Sequence, residues 1–292
     1  MYAIRAQGLT KYYGRTRGIE KLDLSVAKGD FFGFIGPNGA GKSTFIRTIL
    51  GLISPTSGRA EVLGMDISEK KEKLLANVGY LPSEAIFYDG MKAGKVIKLS
   101  AELRKRSCSR YAEELCERLQ LDVNKRCDEL SFGNRKKLGI ICALQHEPEL
   151  IVLDEPTSGL DPLMQREFWN ILHEHNRRGA AIFLSSHILS EIRNNCRNAA
   201  IIRGGSIIAT GSVSELSKTD ARRVAIMGSA DISALEGVRA LEKNEQGMSF
   251  LYSGEASSLL RALAYGDVRG ITITEPGLEE IFMHYYEEEA AE

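Results

Sequence analysis

The sequence predicts an α/β protein: a mostly parallel sheet with an antiparallel edge subdomain and a helical insertion, followed by a small C-terminal α+β unit. Three observations point there. The runs "DFFGFIG" (Asp30–Gly36), "LIVLDEP" (Leu150–Pro156) and "AAIFLSS" (Ala180–Ser186) are apolar on both faces, as strands covered on both sides must be. Helix-like segments separate them, which is the pattern of parallel strands joined by crossovers. After about Lys218 the character changes to short alternating strands and amphipathic helices.

Taken in order, "AIRAQGLTKYYG" (3–14) and "IEKLDLSVAKG" (19–29) alternate and read as antiparallel edge strands. After the first buried strand, "KSTFIRTIL" (Lys42–Leu50) reads as a helix that Gly51 stops. From Glu84 to Leu130 the chain is charged and helix-rich, giving a helical subdomain over about 84–148. "IIRGGSIIATGS" (Ile201–Ser212) is two strands around a Gly-Gly turn. In the last part, "RRVAIM", "MSFLYSG" and "VRGITIT" are strands, and "EASSLLRALAYG" and "PGLEEIFMHYYEEEAAE" are helices. Pro276 suits the first turn of the final helix, with Glu279 and Glu280 near its positive end. The domains are therefore 1–217 and 218–292.

Composition narrows the function classes. The 292 residues carry 38 Lys+Arg against 39 Asp+Glu, a net charge of −1, so no global basic field points to nucleic acid. Basic runs at Leu103–Arg110 and Asn134–Lys137 read as solvated helix faces. No apolar run approaches the roughly 20 residues of a membrane-spanning helix, and the N-terminus shows no secretory h-region. Five cysteines (108, 116, 127, 142 and 196), an odd number without a CxxC pair, read as reduced thiols of an intracellular protein.

Between the first buried strand and its helix lies "GPNGAGKST", Gly36, Pro37, Asn38, Gly39, Ala40, Gly41, Lys42, Ser43 and Thr44, which fits G-x-x-x-x-G-K-[ST]. Phosphate oxygens need converging N–H donors at close range. Glycines permit that approach, and the following helix turns its positive end inward. Lys42 suits the β/γ phosphates and the Ser43 hydroxyl suits Mg2+. Far downstream, Asp154 and Glu155 end an apolar strand, where a parallel sheet places its nucleotide site. Asp154 is a candidate Mg2+ ligand through water, and Glu155 a candidate base for an attacking water.

With these residues in hand the chain resembles the ATP-binding subunits of ABC transporters. "GPNGAGKST", "LSFGN", "LIVLDEP", "SGLD" (Ser158–Asp161) and "SSH" (Ser185–His187) occur in that family's order over about residues 2–217. The resemblance implies a P-loop NTPase cassette of ABC type that binds ATP and Mg2+. It makes Tyr13 the aromatic that stacks on adenine, with neighbouring Tyr12 as the alternative. His187 becomes the switch histidine that steadies the catalytic water, and Asp161 the acidic residue coupling two nucleotide sites across a dimer. Ser131 and the Gly133 N–H would meet the γ-phosphate held by a second ATP-binding subunit, in a homodimer or heterodimer. His146, His173, His175 and His284 have no comparable setting and read as surface or packing residues.

The sequence departs from the family's pattern in two places. Phe132 and Asn134 replace Gly and Gln beside Ser131. In "VGYLPSE" (Val78–Glu84), Ser83 stands where the family carries a Gln that touches Mg2+ and links to the membrane partner. Ser is too short to span that gap directly, so a bridging water or Glu84 would substitute, and the expectation is slow hydrolysis or a site whose partner subunit supplies more of the activity.

The resemblance further implies that separate integral-membrane permease chains are the partners, docking near Ser83–Leu99 at the cytoplasmic face of the cell membrane. The ending "EPGLEEIFMHYY" resembles bacterial exporter ATPases serving drugs, antibiotics or peptides, so export is expected. The alternatives are a soluble ABC-type ATPase acting on ribosomes or DNA, and a weakly hydrolysing, ATP-sensing subunit.

Overall fold

The structure, a computed structural model, describes residues 1–69, 71–217, 221–244 and 246–274. The last expected helix, with Pro276, Glu279, Glu280 and His284, lies outside them. The chain divides into two compact units, Met1–Leu216 and Ser217–Glu292.

The first unit is built on a six-stranded sheet in the order Ser206–Ser212, Asn198–Arg203, Phe31–Ile35, Ala181–Ser186, Leu150–Asp154, Val78–Leu81. All neighbours pair in parallel except the first two, which form an antiparallel hairpin. The three strands read from apolar runs are buried at every position. Val78–Leu81 is an addition to that reading. It is four residues long and admits the neighbouring backbone at Gly79, where a Cβ would come within 2.2 Å of the Ala143 carbonyl.

A second, antiparallel sheet runs Thr16–Ala27, Tyr2–Tyr13, Ser57–Val62, Met65–Asp66. Only its first two strands are legible in the alternation; Ser57–Val62 shows buried side chains only at Ala60 and Val62. The two sheets share one core. The helix Lys42–Ile49 sends Phe45 into it, 5.1 Å from Phe34 and 5.7 Å from Phe183 between ring centroids. Burying such rings contributes a few kcal/mol each, on the order of 2, so the helix is held firmly on the sheet behind the phosphate loop.

The helical region holds Ala93–Leu103, Ser109–Arg118 and Phe132–Leu144, with a short 3-10 turn at Cys127–Glu129. Arg118 fastens Ser109–Arg118 to the long helix Pro162–Arg177: it donates to Glu167 at 2.6 Å and to both carboxylate oxygens of Glu174 at 2.7 and 2.8 Å. His146 and His175 are packing residues, 3% and 2% exposed. All five cysteines are free.

The second unit is an antiparallel sheet, Val238–Asn244, Gly247–Tyr252, Arg222–Ser229, Asp267–Thr274. Leu259 and Leu263 of the helix Ala256–Ala264 pack with Val224, Ile226, Met248 and Phe250. Its strand Val238–Asn244 is missing from the sequence reading because "VRALEKN" carries no buried face.

Candidate functional site

The loop Gly36–Gly41 leaves the central strand Phe31–Ile35 and enters the helix Lys42–Ile49. Gly41 is that helix's N-cap at φ 107°, a left-handed conformation glycine tolerates, and a Cβ there would stand 2.6 Å from the Gly18 carbonyl. A glycine cap brings no side-chain acceptor, and no acid sits in the first turn. The helix's first N–H groups and its dipole are thereby left for an outside anion. Pro37, Asn38 and Gly39 are exposed, whereas Gly36 and Ala40 are buried and anchor the loop; the Gly205 N–H donates to the Ala40 carbonyl at 2.9 Å.

Lys42 is 5% exposed and turned back along the loop. Its ammonium donates to the Gly36 carbonyl at 2.6 Å and the Pro37 carbonyl at 3.2 Å, and lies 3.3 Å from Glu155 Oε1. His187, just past the strand Ala181–Ser186, brings Nδ1 within 2.7 Å of Glu155 Oε2. A carboxylate thus stands between the loop lysine and an imidazole that is half exposed. Glu155 adopts φ 48°, a left-handed conformation that costs a non-glycine residue on the order of 1 kcal/mol or more. Three hydrogen bonds hold it there: its N–H to the Ser185 carbonyl at 3.0 Å, and to its own carbonyl the Ser158 hydroxyl at 3.0 Å and the Lys136 ammonium at 2.9 Å.

Asp154 is fully buried at the strand end and accepts from the Ser185 hydroxyl through Oδ1 at 3.0 Å. Its Oδ2 is buried with no hydrogen-bond partner. Such an atom is costly unless something cationic or protic completes it, which fits a divalent cation shared with the Ser43 hydroxyl and substrate oxygens. Among the described residues no cluster of three or more His, Cys, Asp or Glu could hold a metal alone, so the substrate would supply part of the coordination, as Mg2+ sites with phosphates do.

Tyr13 ends the first strand, 47% exposed, with the Lys11 ammonium 5.4 Å from its ring centroid. A Cβ on Gly18 would meet Tyr13 Cε2 at 3.1 Å and Thr44 Cγ2 at 2.9 Å, so this ring lies beside the phosphate-loop helix. The main-chain N–H of neighbouring Tyr12 donates to the Thr56 hydroxyl at 3.0 Å.

The remaining candidates lie on other segments, and that of Ser83 is tied to the Glu155 carbonyl through Lys136. Ser131 is an exposed N-cap whose hydroxyl accepts from the Asn134 N–H at 3.3 Å. A Cβ on Gly133 would lie 2.6 Å from the Gly159 carbonyl, and one on Gly159 would meet the Phe132 ring at 2.2 Å. An edge of the Phe132 ring therefore packs against the Ser158–Asp161 loop, filling the space a side chain at 159 would take. Asp161 caps the helix Pro162–Arg177, accepting from the Leu163 and Met164 N–H groups at 3.1 and 3.0 Å. Ser83 is half-buried, and its carbonyl accepts from Lys136 at 2.9 Å; Glu84 is exposed.

Lys136 corrects the reading of "NRKK" as a solvated face. It is 1% exposed, and its ammonium donates to the carbonyls of Pro82, Ser83 and Glu155. Burial pushes it down to about 8, against the pull of the Asp154, Glu155 and Glu191 carboxylates. A signal was present: Lys136 shares a helical face with buried Ile140 and Ala143. Glu191 is another omission. It accepts from the Thr157 hydroxyl and, at 2.7 Å, from the Ser186 hydroxyl, fixing the loop that follows Glu155.

Comparison with known proteins gives one consistent result. The family described as ABC transporter matches residues 19–158. The bacitracin transport ATP-binding protein BcrA of Bacillus licheniformis is 33% identical over 96% of each chain. The probable multidrug ABC transporter ATP-binding protein YbhF of Escherichia coli K12 is 34% identical over 73% of this chain and 38% of its own length. A solved ATP-binding subunit of an ABC transporter superposes with TM-score 0.70 at 28% identity, covering 73% of this chain and 91% of that one. A dimeric ATP-binding cassette in a post-hydrolysis state with ADP and Pi shares the fold, with TM-score 0.63 at 20% identity over 72% of this chain and 98% of that one.

Proposed function

Because this chain belongs to the ABC transporter ATP-binding proteins, and is an ATPase of that family, we propose that it drives a separate membrane permease by closing on a second ATP-binding subunit around two ATP. The observation that carries the reading is Glu155, poised between Lys42 at 3.3 Å and His187 at 2.7 Å at the end of the strand beside the phosphate loop.

The loop N–H groups and Lys42 bind the β/γ phosphates, which can draw the ammonium from the Gly36 and Pro37 carbonyls. Asp154 and Ser43 are the residues that would hold Mg2+, with Ser83 or Glu84 contributing through water; when bound, the ion would supply neutralisation of the phosphate charge. Ser185 keeps the Asp154 carboxylate in place. Glu155 takes the proton of the attacking water, and His187, hydrogen-bonded to its Oε2, orients carboxylate and water together. The Tyr13 ring, beside Thr44, offers adenine a flat face. Ser131 and the Gly133 N–H meet the γ-phosphate bound by the other subunit, and Asp161 lies at the same interface.

No helix among the described residues is long and apolar enough to cross a membrane; the likeness to transport ATP-binding proteins supports a permease partner and a place for this subunit at the cytoplasmic face of the membrane. Its docking surface is the Ser83–Leu99 region, where Ile86 and Tyr88 are 83% and 74% exposed. The likeness to a bacitracin transport protein over nearly its whole length, and to a probable multidrug transporter, supports export of a peptide, toxin, antibiotic or other amphipathic compound.

The test is Glu155→Gln in the purified chain. ATP turnover should fall at least a hundredfold, about 3 kcal/mol in barrier, with ATP affinity retained. Unchanged turnover would remove Glu155 from the chemistry.

A further inference from the structure

The chemistry above leaves the buried charge of Lys136 unused. Lys136, on the helix Phe132–Leu144, points its ammonium at three backbone carbonyls: Pro82 at 3.2 Å, Ser83 at 2.9 Å and Glu155 at 2.9 Å. An ammonium has three N–H donors, so these carbonyls exhaust it. A buried lysine lowers its cost most directly by pairing with a carboxylate. Here the carboxylates of Asp154, Glu155 and Glu191 lie near enough to act on its charge, yet every hydrogen bond it makes goes to main chain. Those carbonyls belong to two separate segments, the one that follows the strand Val78–Leu81 and the end of the strand Leu150–Asp154. The lysine itself sits on a third, the helix that Ser131 caps.

At Glu155 the contact falls where it has leverage. That residue is held at φ 48°, and a conformation of this kind persists only while its surroundings over-determine it. Its carbonyl has two partners, Ser158 and Lys136, and only Lys136 connects it to the Ser83 segment. Lys136 reaches the Ser83 carbonyl from the helix Phe132–Leu144 and ties it to the Glu155 carbonyl.

We propose that Lys136 is a positioning residue that couples the Ser83 segment to the Glu155 carboxylate, so that movement of that segment sets the aim of Glu155. The inference rests on the reading of Glu155 as the base for the attacking water. Lys136 touches no reacting atom: it acts through the Glu155 main chain. A permease pressing on the exposed Ile86 and Tyr88 would then reach the reaction through Ser83 and Lys136.

The experiment compares the full-length purified chain with Lys136→Met and Lys136→Gln, with Glu155→Gln measured alongside. Steady-state ATP turnover gives kcat and KM, and amide hydrogen exchange over residues 83–87 is followed with and without Mg-ATP. Lys136→Met should lower kcat about tenfold with KM within twofold of wild type. Lys136→Gln, which keeps two donors, should recover part of that loss. In the wild-type chain Mg-ATP should slow exchange at 83–87, and in Lys136→Met that response should vanish. Any of three results overturns the proposal: kcat within twofold of wild type in Lys136→Met, an exchange response that survives in it, or a joint loss of nucleotide affinity in both variants, which would mark Lys136 as a purely structural residue. If Glu155→Gln keeps full turnover, it is the base assignment that falls, and the exchange measurement still reports on the link by itself.

Discussion

The two halves of the nucleotide machinery are built in opposite ways. Around Lys42, Asp154 and Glu155 the side chains are buried or nearly so, and each is held by contacts within the same unit. Around Ser131 and Gly133 the chain offers an exposed helix start, capped by its own serine and backed by Phe132 against Gly159. The first half is shaped before any ligand arrives, and such preorganisation makes charges effective. The second is a helix N-terminus which, in the proposed function, meets a phosphate held by another subunit. Its placement makes sense when a second subunit brings the phosphate to it.

That contrast can be broken at several points. The largest effect belongs to Lys42→Ala, which removes the buried ammonium from the phosphate loop. ATP binding, followed with a fluorescent ATP analogue, should weaken by about a hundredfold or more. Ser131→Arg comes next and should split the two halves. Turnover should fall on the order of a hundredfold, while the isolated chain's affinity for ATP stays within about twofold. Loss of affinity in Ser131→Arg would mean that both halves serve one chain. Phe132→Ala leaves the serine cap and the glycine in place but frees the Gly159 loop. A several-fold drop in kcat with unchanged KM is expected, and no change would show that the Phe132 contact is ordinary packing.

The buried scaffold also predicts a pH dependence. Desolvation holds His146 down to about 3 and His175 down to about 4, below the ordinary histidine value of 6.5. Both are neutral in the folded chain and take up protons more readily unfolded, so stability is full above about 6.5 and is lost as pH falls toward 4 and then 3. Thermal unfolding followed from pH 7 to pH 4 should show Tm falling, and His175→Gln should flatten the upper part of that fall. The smallest change expected is Ser83→Gln, which should raise turnover a few-fold if Ser83 limits the rate; identical rates would remove that role from Ser83.

The difference between the halves also explains what could be read in advance. The phosphate loop, the Asp154–Glu155 strand end and the Gly204–Gly205 hairpin are written in contiguous residues whose local chemistry has few alternatives. Val78–Leu81 escaped because four residues with a glycine among them give no periodicity, and its place in the sheet is settled by Leu150–Asp154 alongside it. Lys136 escaped for a related reason. Beside Arg135 and Lys137 it looks solvated, and only the packing of its helix against the Pro82–Ser83 carbonyls turns it inward. Asp161 was read for an interface role, and its visible work is to cap a helix. Composition finds residues that act in their own segment, and misses those whose partners arrive from elsewhere.

In the proposed function a complete site needs the buried half of one chain and the exposed half of another. Sedimentation of Glu155→Gln, alone and combined with Ser131→Arg, tests it most directly. Glu155→Gln should be a monomer without nucleotide and a dimer with Mg-ATP, and the double variant a monomer under both conditions, with equal ATP affinity in the two. A double variant that still dimerises on adding Mg-ATP, or a Glu155→Gln chain indifferent to it, would contradict the claim.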